Sequence, residues 1–106
     1  MCLRWQQLGA FYPFSRNHNS DNAPPQDPTV WPSVSAATKK ANNFRYYYLP
    51  YLYSLFYEAN MNGHTVVRPL FFEFVTDANV FDIDAQFMWG DAILISPVVT
   101  QGATTV

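Results

Sequence analysis

The sequence predicts a mixed α/β fold built on a parallel β-α-β unit. Residues 11–14 form a short apolar segment typical of a strand, and residues 34–62 carry apolar side chains at the three- and four-residue spacing of a helix. Residues 65–74 are β-branched and aromatic without alternation, as in a strand covered on both faces. A crossover of this length is the usual connection between parallel strands.

The composition is too apolar for a small independent domain. Hydrophobic residues make up 49% and aromatic residues 18% of the 106 residues, whereas charged residues make up only 13%. A domain of this size buries only roughly 60 to 65% of its extended surface, so this much aromatic surface needs a larger partner to cover it. The composition therefore predicts a piece of a larger protein.

Charge and residue content exclude several classes of function. The net charge of −2 leaves no basic face for a phosphate backbone, so nucleic acid is not an expected partner. Ungrouped glycines, and two histidines (His18 and His64) without Cys or carboxylate at ligand spacing, give no expectation of a cofactor or a metal. The single cysteine, Cys2, is expected to be an inert, partly buried thiol rather than half of a disulfide to a partner outside the chain. The longest apolar run, residues 92–99, is far shorter than the ~20 residues of a membrane-spanning helix.

The first elements lead into a polar segment. Residues 3–10 are predicted to be the tail of a helix that stops at Gly9. The strand at residues 11–14 contains Pro13, which removes a ladder donor and confines it to a strand end. Residues 15–19 follow at once and are polar, as expected for ligand-binding groups at the rim of a sheet or barrel.

A proline-rich loop and a long helix come next. Residues 21–32 hold four prolines and predict an extended surface loop, in which Trp31 is favoured as an anchor onto the core over a sugar-stacking platform. Ser33 or Ser35 is the expected N-cap of the helix, and Gly63 its left-handed C-terminal residue. Pro50 predicts two helical halves that meet at a kink near Leu49.

One face of this helix is expected to be buried. The apolar spacing that defines this face is carried by Phe44, Tyr48, Tyr51, Leu52, Leu55 and Ala59. The same helix holds six tyrosines, for which the helical spacing favours core packing over a carbohydrate platform. These tyrosines are Tyr46, Tyr47, Tyr48, Tyr51, Tyr53 and Tyr57.

The C-terminal part predicts short elements. Residues 77–82 are expected to form a turn, residues 83–89 a short helix closed by Gly90, and residues 92–99 a buried strand. The Thr-Val pattern of residues 100–106 is compatible with a further strand.

Three sets of polar residues are candidates for chemistry. Asp82 and Asp84 are favoured as solvated capping groups over catalytic acids, and Arg68 and Glu73 as a structural ion pair. His18 can donate to hydroxyl groups through one ring nitrogen while a neighbour fixes the other. On local sequence alone a structural histidine is still favoured.

The chain resembles glycoside hydrolase family 31, in its α-glucosidase branch. The longest matching motif is RWQQLGAFYPFSRNHN at residues 4–19. The other matching motifs follow in the same order: QDP at residues 26–28, RY at 45–46, LPYLY at 49–53, VRPL at 67–70, QFMWG at 86–90 and ISPV at 95–98.

The resemblance implies the C-terminal part of a (β/α)₈ TIM barrel running into the start of a β-sandwich domain. Residues 1–90 would belong to the catalytic barrel, with residues 11–14 and 66–72 as its last two strands, and residues 91–106 would open the β-sandwich. It implies a retaining α-glucosidase that releases terminal α-linked glucose from oligosaccharides and uses two aspartates upstream of this chain. His18 would contact hydroxyls of the glucose, and Arg16 would support the same pocket.

The resemblance also sets expectations for partners and location. The partners would be an α-glucoside oligosaccharide and the remainder of the barrel, and the location would be the secretory pathway, either extracellular or lysosomal. The isolated chain is expected to be inactive because no catalytic residue lies in it. The alternative is a catalytically silent relative that acts as a carbohydrate-binding or scaffold protein.

Overall fold

The computed structural model describes residues 2–106 and divides into two compact units, Met1–Tyr48 and Leu49–Val106. The first unit contains the helices α1 (Cys2–Gly9) and α2 (Pro32–Tyr47), with a 3₁₀ turn at Pro28–Val30 between them. The second contains α3 (Leu49–Asn62), β1 (Val67–Arg68), α4 (Leu70–Glu73), a 3₁₀ turn at Ala78–Val80, β2 (Phe87–Trp89) and β3 (Ile93–Ile95).

The first unit is built by packing α1 against α2. Its buried side chains are Ala10, just after α1, and Val34 and Thr38 on α2. The hydroxyl of Thr38 donates to the carbonyl of Val34 at 2.8 Å, so this buried polar group is satisfied within its own helix. The predicted helix at residues 3–10 is confirmed, and α1 ends at Gly9 as expected.

The predicted strand at residues 11–14 is wrong, because these residues form turns and bends. The N–H of Phe11 donates to Leu8 O at 3.0 Å and that of Tyr12 to Gly9 O at 3.2 Å, so the chain turns directly after α1. Pro13 has no N–H to offer a sheet. The carbonyls that a neighbouring strand would need are occupied by a side chain of α2, described below.

The predicted N-cap of the long helix is also wrong. Helix α2 begins at Pro32, so Ser33 and Ser35 lie inside its first turn. The fixed φ of proline suits the first helical position, where its missing N–H leaves no partner unsatisfied. The Ser35 N–H instead donates to the carbonyl of Trp31 at 2.9 Å, and Trp31 itself, predicted as a core anchor, is exposed.

The predicted interruption of the long helix is confirmed. Helix α2 ends at Tyr47, Tyr48 takes φ −95 and ψ 8, and α3 begins at Leu49. Pro50 cannot donate the hydrogen bond that would join the halves, which explains why the break falls just before it. The C-terminal stop is confirmed as well, since Gly63 adopts φ 72 and donates to Ala59 O at 3.1 Å.

The sheet of the second unit is antiparallel throughout, in the order β1-β2-β3. The predicted parallel β-α-β unit is therefore wrong. The strand predicted over residues 65–74 is reduced to Val67–Arg68, after which Pro69 precedes the short helix α4. No further strand is present in residues 100–106.

The predicted helix at residues 83–89 is wrong as well, because Phe87–Trp89 forms β2. Trp89 pairs with Ile93, and Gly90 at φ 55 opens the tight connection to β3. A hairpin that pairs β2 with β3 forms instead of the short helix. Gly90 makes this possible, because glycine has no Cβ and adopts the left-handed conformation without a clash. The strand predicted over residues 92–99 is confirmed at Ile93–Ile95.

The core of the second unit lies between α3, α4 and the hairpin. Trp89 is fully buried, and Leu70, Val80 and Met88 form a cluster with Ile83 packed against it. The predicted ion pair is confirmed, since Nη1 of Arg68 contacts Oε1 of Glu73.

The predicted buried face of the long helix is only partly correct. Leu52 and Leu55 are buried, and Tyr48 and Tyr51 are half-buried. Four of the six tyrosines are largely exposed instead of packed in a core: Tyr46, Tyr47, Tyr53 and Tyr57. They lie on helix surfaces that their own unit does not cover.

Tyr51 ties α3 to the sheet, and its removal is expected to weaken the second unit. Its hydroxyl donates to the carbonyl of Trp89 at 2.9 Å. We expect Tyr51→Phe to lower the free energy of unfolding by about 1 kcal/mol in urea titrations, whereas Tyr53→Phe, on the exposed side of the same helix, leaves it unchanged.

Burial, followed by the charge of Asp91, raises the pKa of Tyr51 above its usual 10.0. The contribution of its neutral form is therefore complete below pH 10 and is lost as the pH rises through the raised pKa. Equal unfolding energies for the wild type and Tyr51→Phe would contradict this role.

Candidate functional site

An open pocket of about 450 Å³ lies in the first unit, beside the C-terminal half of α1. Both residues predicted to contact substrate, Arg16 and His18, line it. The other lining residues are Trp5, Gln6, Gly9, Tyr12, Phe14, Ser15 and Asn17. The wall therefore combines exposed aromatic rings with polar side chains of the segment that follows them.

His18 is exposed, and one of its ring nitrogens is fixed by the backbone. Nδ1 lies 2.8 Å from the carbonyl oxygen of Asn19, so it must carry the proton and donate. In the neutral imidazole Nε2 is then the acceptor, and no residue within 2–106 occupies it. The ring can accept a hydrogen bond from a ligand hydroxyl when neutral and donate one when protonated. Sequence reasoning expected only the donor role.

Arg16 is exposed on the same pocket and forms no salt bridge within residues 2–106. Its guanidinium offers five donors in a planar fork and no acceptor. With a guanidinium donor and an imidazole acceptor among its lining residues, the pocket has both kinds of group that a polyhydroxylated ligand requires.

The two asparagines beside His18 hold the loop through their side-chain amides, although Asn17 also lines the pocket. The amide nitrogen of Asn19 donates to the carbonyls of Ser20 and Ala23, each at 2.9 Å, and that of Asn17 donates to the carbonyl of Gln26. These bonds fold residues 17–26 back on themselves and set the backbone around His18.

Sequence reasoning missed the role of Arg45 on α2. Its Nη1 donates to the carbonyls of Ala10 and Tyr12, each at 2.6 Å, and its Nη2 donates to that of Pro13 at 2.9 Å. The residue before it, Phe44, packs its ring 5.3 Å from that of Phe11. The only sequence signal for Arg45 was its presence in a matched motif, since carbonyl contacts leave no periodic pattern.

Asp27 caps the turn that closes the loop, and its titration is testable. It accepts from the Thr29 hydroxyl at 2.7 Å and the Thr29 N–H at 2.8 Å, and these bonds, in that order, hold the pKa of Asp27 below its usual 3.8. A lowered pKa means that the carboxylate stabilises the turn fully above pH 3.8 and loses this effect as the pH falls through the lower value. We expect the Thr29 amide resonance to titrate with a midpoint below 3.8 and to lose this transition in Asp27→Asn. A midpoint at or above 3.8 would show that the cap is absent in solution.

The remaining polar candidates do not join this pocket. Asp82 and Asp84 are exposed residues of the second unit. Among residues 2–106 no cluster of three or more His, Cys, Asp or Glu side chains could hold a metal ion. The same range contains no helix with both the length and the apolar content to cross a membrane.

Two profiles of known protein families match this chain. Residues 1–55 match the profile of the glycosyl hydrolases family 31 TIM-barrel domain, and residues 63–106 match that of the glycosyl hydrolase family 31 C-terminal domain. The chain belongs to glycosyl hydrolase family 31. The family resemblance expected from the motifs is thereby confirmed, while the predicted domain boundary at residues 90 and 91 stays a prediction.

Two curated relatives and one solved structure show how the chain fits into this family. It is 52% identical to intestinal sucrase-isomaltase of Oryctolagus cuniculus over all of this chain and 6% of that protein. It is 50% identical to lysosomal α-glucosidase of Mus musculus, again over its full length and 11% of the relative. The crystal structure of a family 31 α-glucosidase from Bacteroides thetaiotaomicron superposes with a TM-score of 0.85 at 36% identity, over 94% of this chain and 17% of that enzyme. The chain thus spans only a small fraction of the length of the relatives it matches.

Proposed function

We propose that this family 31 chain is part of a retaining α-glucosidase and carries a portion of the sugar pocket without the catalytic aspartates. The observation that carries the proposal is that His18, with its Nδ1 bonded to the Asn19 carbonyl, and Arg16 both line one open pocket. The substrate would be an α-linked glucose at the end of an oligosaccharide, as the names of the α-glucosidase relatives suggest.

The proposed role of the pocket is to bind and orient the glucose ring. Arg16 donates to ring hydroxyls, and Nε2 of His18 accepts from one of them. Hydrogen bonds that strengthen as the ring flattens toward the transition state accelerate cleavage, whereas those that stay equal only improve binding.

The acid-base chemistry is proposed to come from aspartates outside this chain. A retaining enzyme holds its two carboxyl groups about 5 to 5.5 Å apart beside the scissile bond. No carboxylate lines the pocket of His18 and Arg16 in the part of the chain described here. On this proposal the chain by itself hydrolyses nothing.

The architecture proposed with this function is the closing part of a (β/α)₈ barrel over residues 1–90 and the start of a β-sandwich over residues 91–106. The order of the two profiles, barrel at residues 1–55 and C-terminal domain at residues 63–106, supports a barrel part followed by a second domain but not the boundary at residue 90. The exposed aromatic side chains of α2 and α3 are further support, since the remainder of a barrel would cover them. The secretory pathway, extracellular or lysosomal, is the proposed location because relatives carry intestinal and lysosomal names.

The experiment is to determine the flanking coding sequence and assay the extended protein with maltose. We expect two aspartates upstream, glucose release, and an α-configured first product detected by NMR. Asp84→Asn is the matched control and should leave the rate unchanged, since this exposed residue lies outside the pocket. An extended protein with both aspartates that leaves maltose intact would refute the proposal.

The second candidate is a catalytically silent relative that binds carbohydrate or acts as a scaffold. It is favoured by the pocket itself, whose described lining residues offer hydrogen-bonding groups and aromatic rings but no carboxylate. Loss of either upstream aspartate, together with maltose binding by calorimetry, would support this candidate over the enzyme.

A further inference from the structure

We propose that Arg45 is a positioning residue that holds residues 15–19 in place. These residues are called the sugar-binding segment, because they include Arg16 and His18, which the proposed function assigns to the sugar pocket. The inference rests on the proposed function for its consequence but not for its geometry. Arg45 lies on α2, 27 residues beyond His18 in the sequence, and reaches the three carbonyls just before the segment.

The contacts of Arg45 use both terminal nitrogens of its guanidinium. Nη1 is shared by Ala10 and Tyr12 at 2.6 Å each, and Nη2 reaches Pro13 at 2.9 Å. These carbonyls follow the C-terminal end of α1, where positive charge is favourable. One side chain therefore satisfies three acceptors of a backbone that has no strand beside it.

Arg45 has no carboxylate partner among residues 2–106, and this indicates why the position holds an arginine. The salt bridges within residues 2–106 are those of His64 and Arg68, and neither involves Arg45. A half-buried guanidinium bonded only to carbonyls acts on backbone geometry rather than on charge balance. Lysine, with a compact ammonium, cannot present the same planar fork to carbonyls on both sides.

The segment that holds Arg16 and His18 is thus fastened at both ends. Upstream, Arg45 holds residues 10–13, supported by the contact of Phe44 with Phe11. Downstream, the amides of Asn17 and Asn19 bind carbonyls of the loop. Loss of the upstream contact should free residues 14–16 while α2 stays intact.

Limited trypsin digestion of the chain tests the contact without any sugar. Cleavage after Arg16 reports on the segment, and cleavage after Lys39 and Lys40 reports on the middle of α2 in the same unit. We expect Arg45→Gln to raise the rate at Arg16 about tenfold with the rate at the lysines unchanged, and Arg45→Lys to give an intermediate rise. Arg4→Gln, which removes an equal charge from an exposed position on α1, should change neither rate.

Two results would overturn the contact. One is an unchanged rate at Arg16 in Arg45→Gln, and the other is an equal rise at Arg16 and at the lysines, which would mean general unfolding. If Arg45→Gln does not fold, the wild type decides: its Arg45 guanidinium protons should exchange with water at least about tenfold more slowly than those of exposed Arg4. Equal exchange at Arg45 and Arg4 would also overturn the contact.

A double-mutant cycle in the extended protein tests whether the contact acts through His18. We expect Arg45→Gln alone to lower kcat/KM about tenfold, and Arg45→Gln combined with His18→Ala to lose clearly less than the product of the two single losses, since Arg45 acts through His18 as well as Arg16. Multiplied losses would make Arg45 a general stabiliser and overturn the positioning role. If no variant or wild type cleaves maltose, the proposed function fails while the trypsin rates still decide the contact.

Discussion

Replacing His18 by alanine in the extended protein should lower kcat/KM for maltose by about 10²-fold. The change removes the acceptor Nε2 from the pocket and leaves the hydroxyl it would bind without a partner, a loss of about 3 kcal/mol for a contact shielded from water. Because Nδ1 is engaged by the carbonyl of Asn19, the ring is oriented before the ligand arrives, and its loss should affect kcat as well as KM. Initial rates over a range of maltose concentrations measure both.

The matched control for this prediction is His64→Ala. His64 is also exposed and lies in the second unit, where its Nδ1 is 3.8 Å from Oε2 of Glu58. We expect the kinetics of this variant to equal those of the wild type. If His18→Ala retained wild-type kinetics as well, His18 would have no place in the sugar pocket.

Replacing Gly90 by alanine should destabilise the second unit by about 3 kcal/mol. A Cβ at this position would lie 2.6 Å from Cδ2 of Leu55 and 2.6 Å from the hydroxyl of Tyr51, and the backbone there has φ 55. Leu55 is buried and Tyr51 is held by its bond to Trp89, so neither side chain can move aside freely. Overpacking of about 1 to 3 kcal/mol therefore adds to left-handed strain of about 1 kcal/mol.

Gly102→Ala separates the two contributions. Gly102 has φ 79, but no atom lies within 4 Å of the place that an alanine Cβ would take, so only backbone strain is expected, about 1 kcal/mol. Urea unfolding of the wild type and both variants measures the difference. Equal losses for Gly90→Ala and Gly102→Ala would show that the close approach of α3 to Gly90 is absent in solution.

Local signals in the sequence predicted the first helix and the interrupted long helix well, apart from the N-cap. The spacing of Leu52 and Leu55, the break before Pro50 and the stop at Gly63 each act within a few residues, and the structure retains all three. Such features depend on the chain's own backbone geometry and need no distant partner.

The strands were predicted poorly because their partners are distant in sequence. Residues 11–14 have the apolar character of a strand, but the Arg45 side chain occupies the carbonyls there, and no local pattern announces it. Residues 87–89 were predicted as a helix because their pairing with Ile93–Ile95 depends on the turn that begins at Gly90. Tertiary contacts overrode local preference in both places.

The candidate site was predicted through a motif rather than through physical patterning. Local sequence favoured a structural role for His18, whereas the structure places it, exposed, on a pocket with Arg16. The direction of its hydrogen bond could not be anticipated, because it depends on where the next carbonyl points.

The partner of the His18 ring is a main-chain oxygen, and this limits which substitutions can remove the hydrogen bond during evolution. Every amino acid brings the same carbonyl to position 19, so no single exchange of side chain there deletes the bond. The backbone conformation therefore determines the tautomer of the imidazole. A substitution at position 19 can alter the tautomer only by changing that conformation, for instance through loss of the Asn19 bond to Ala23.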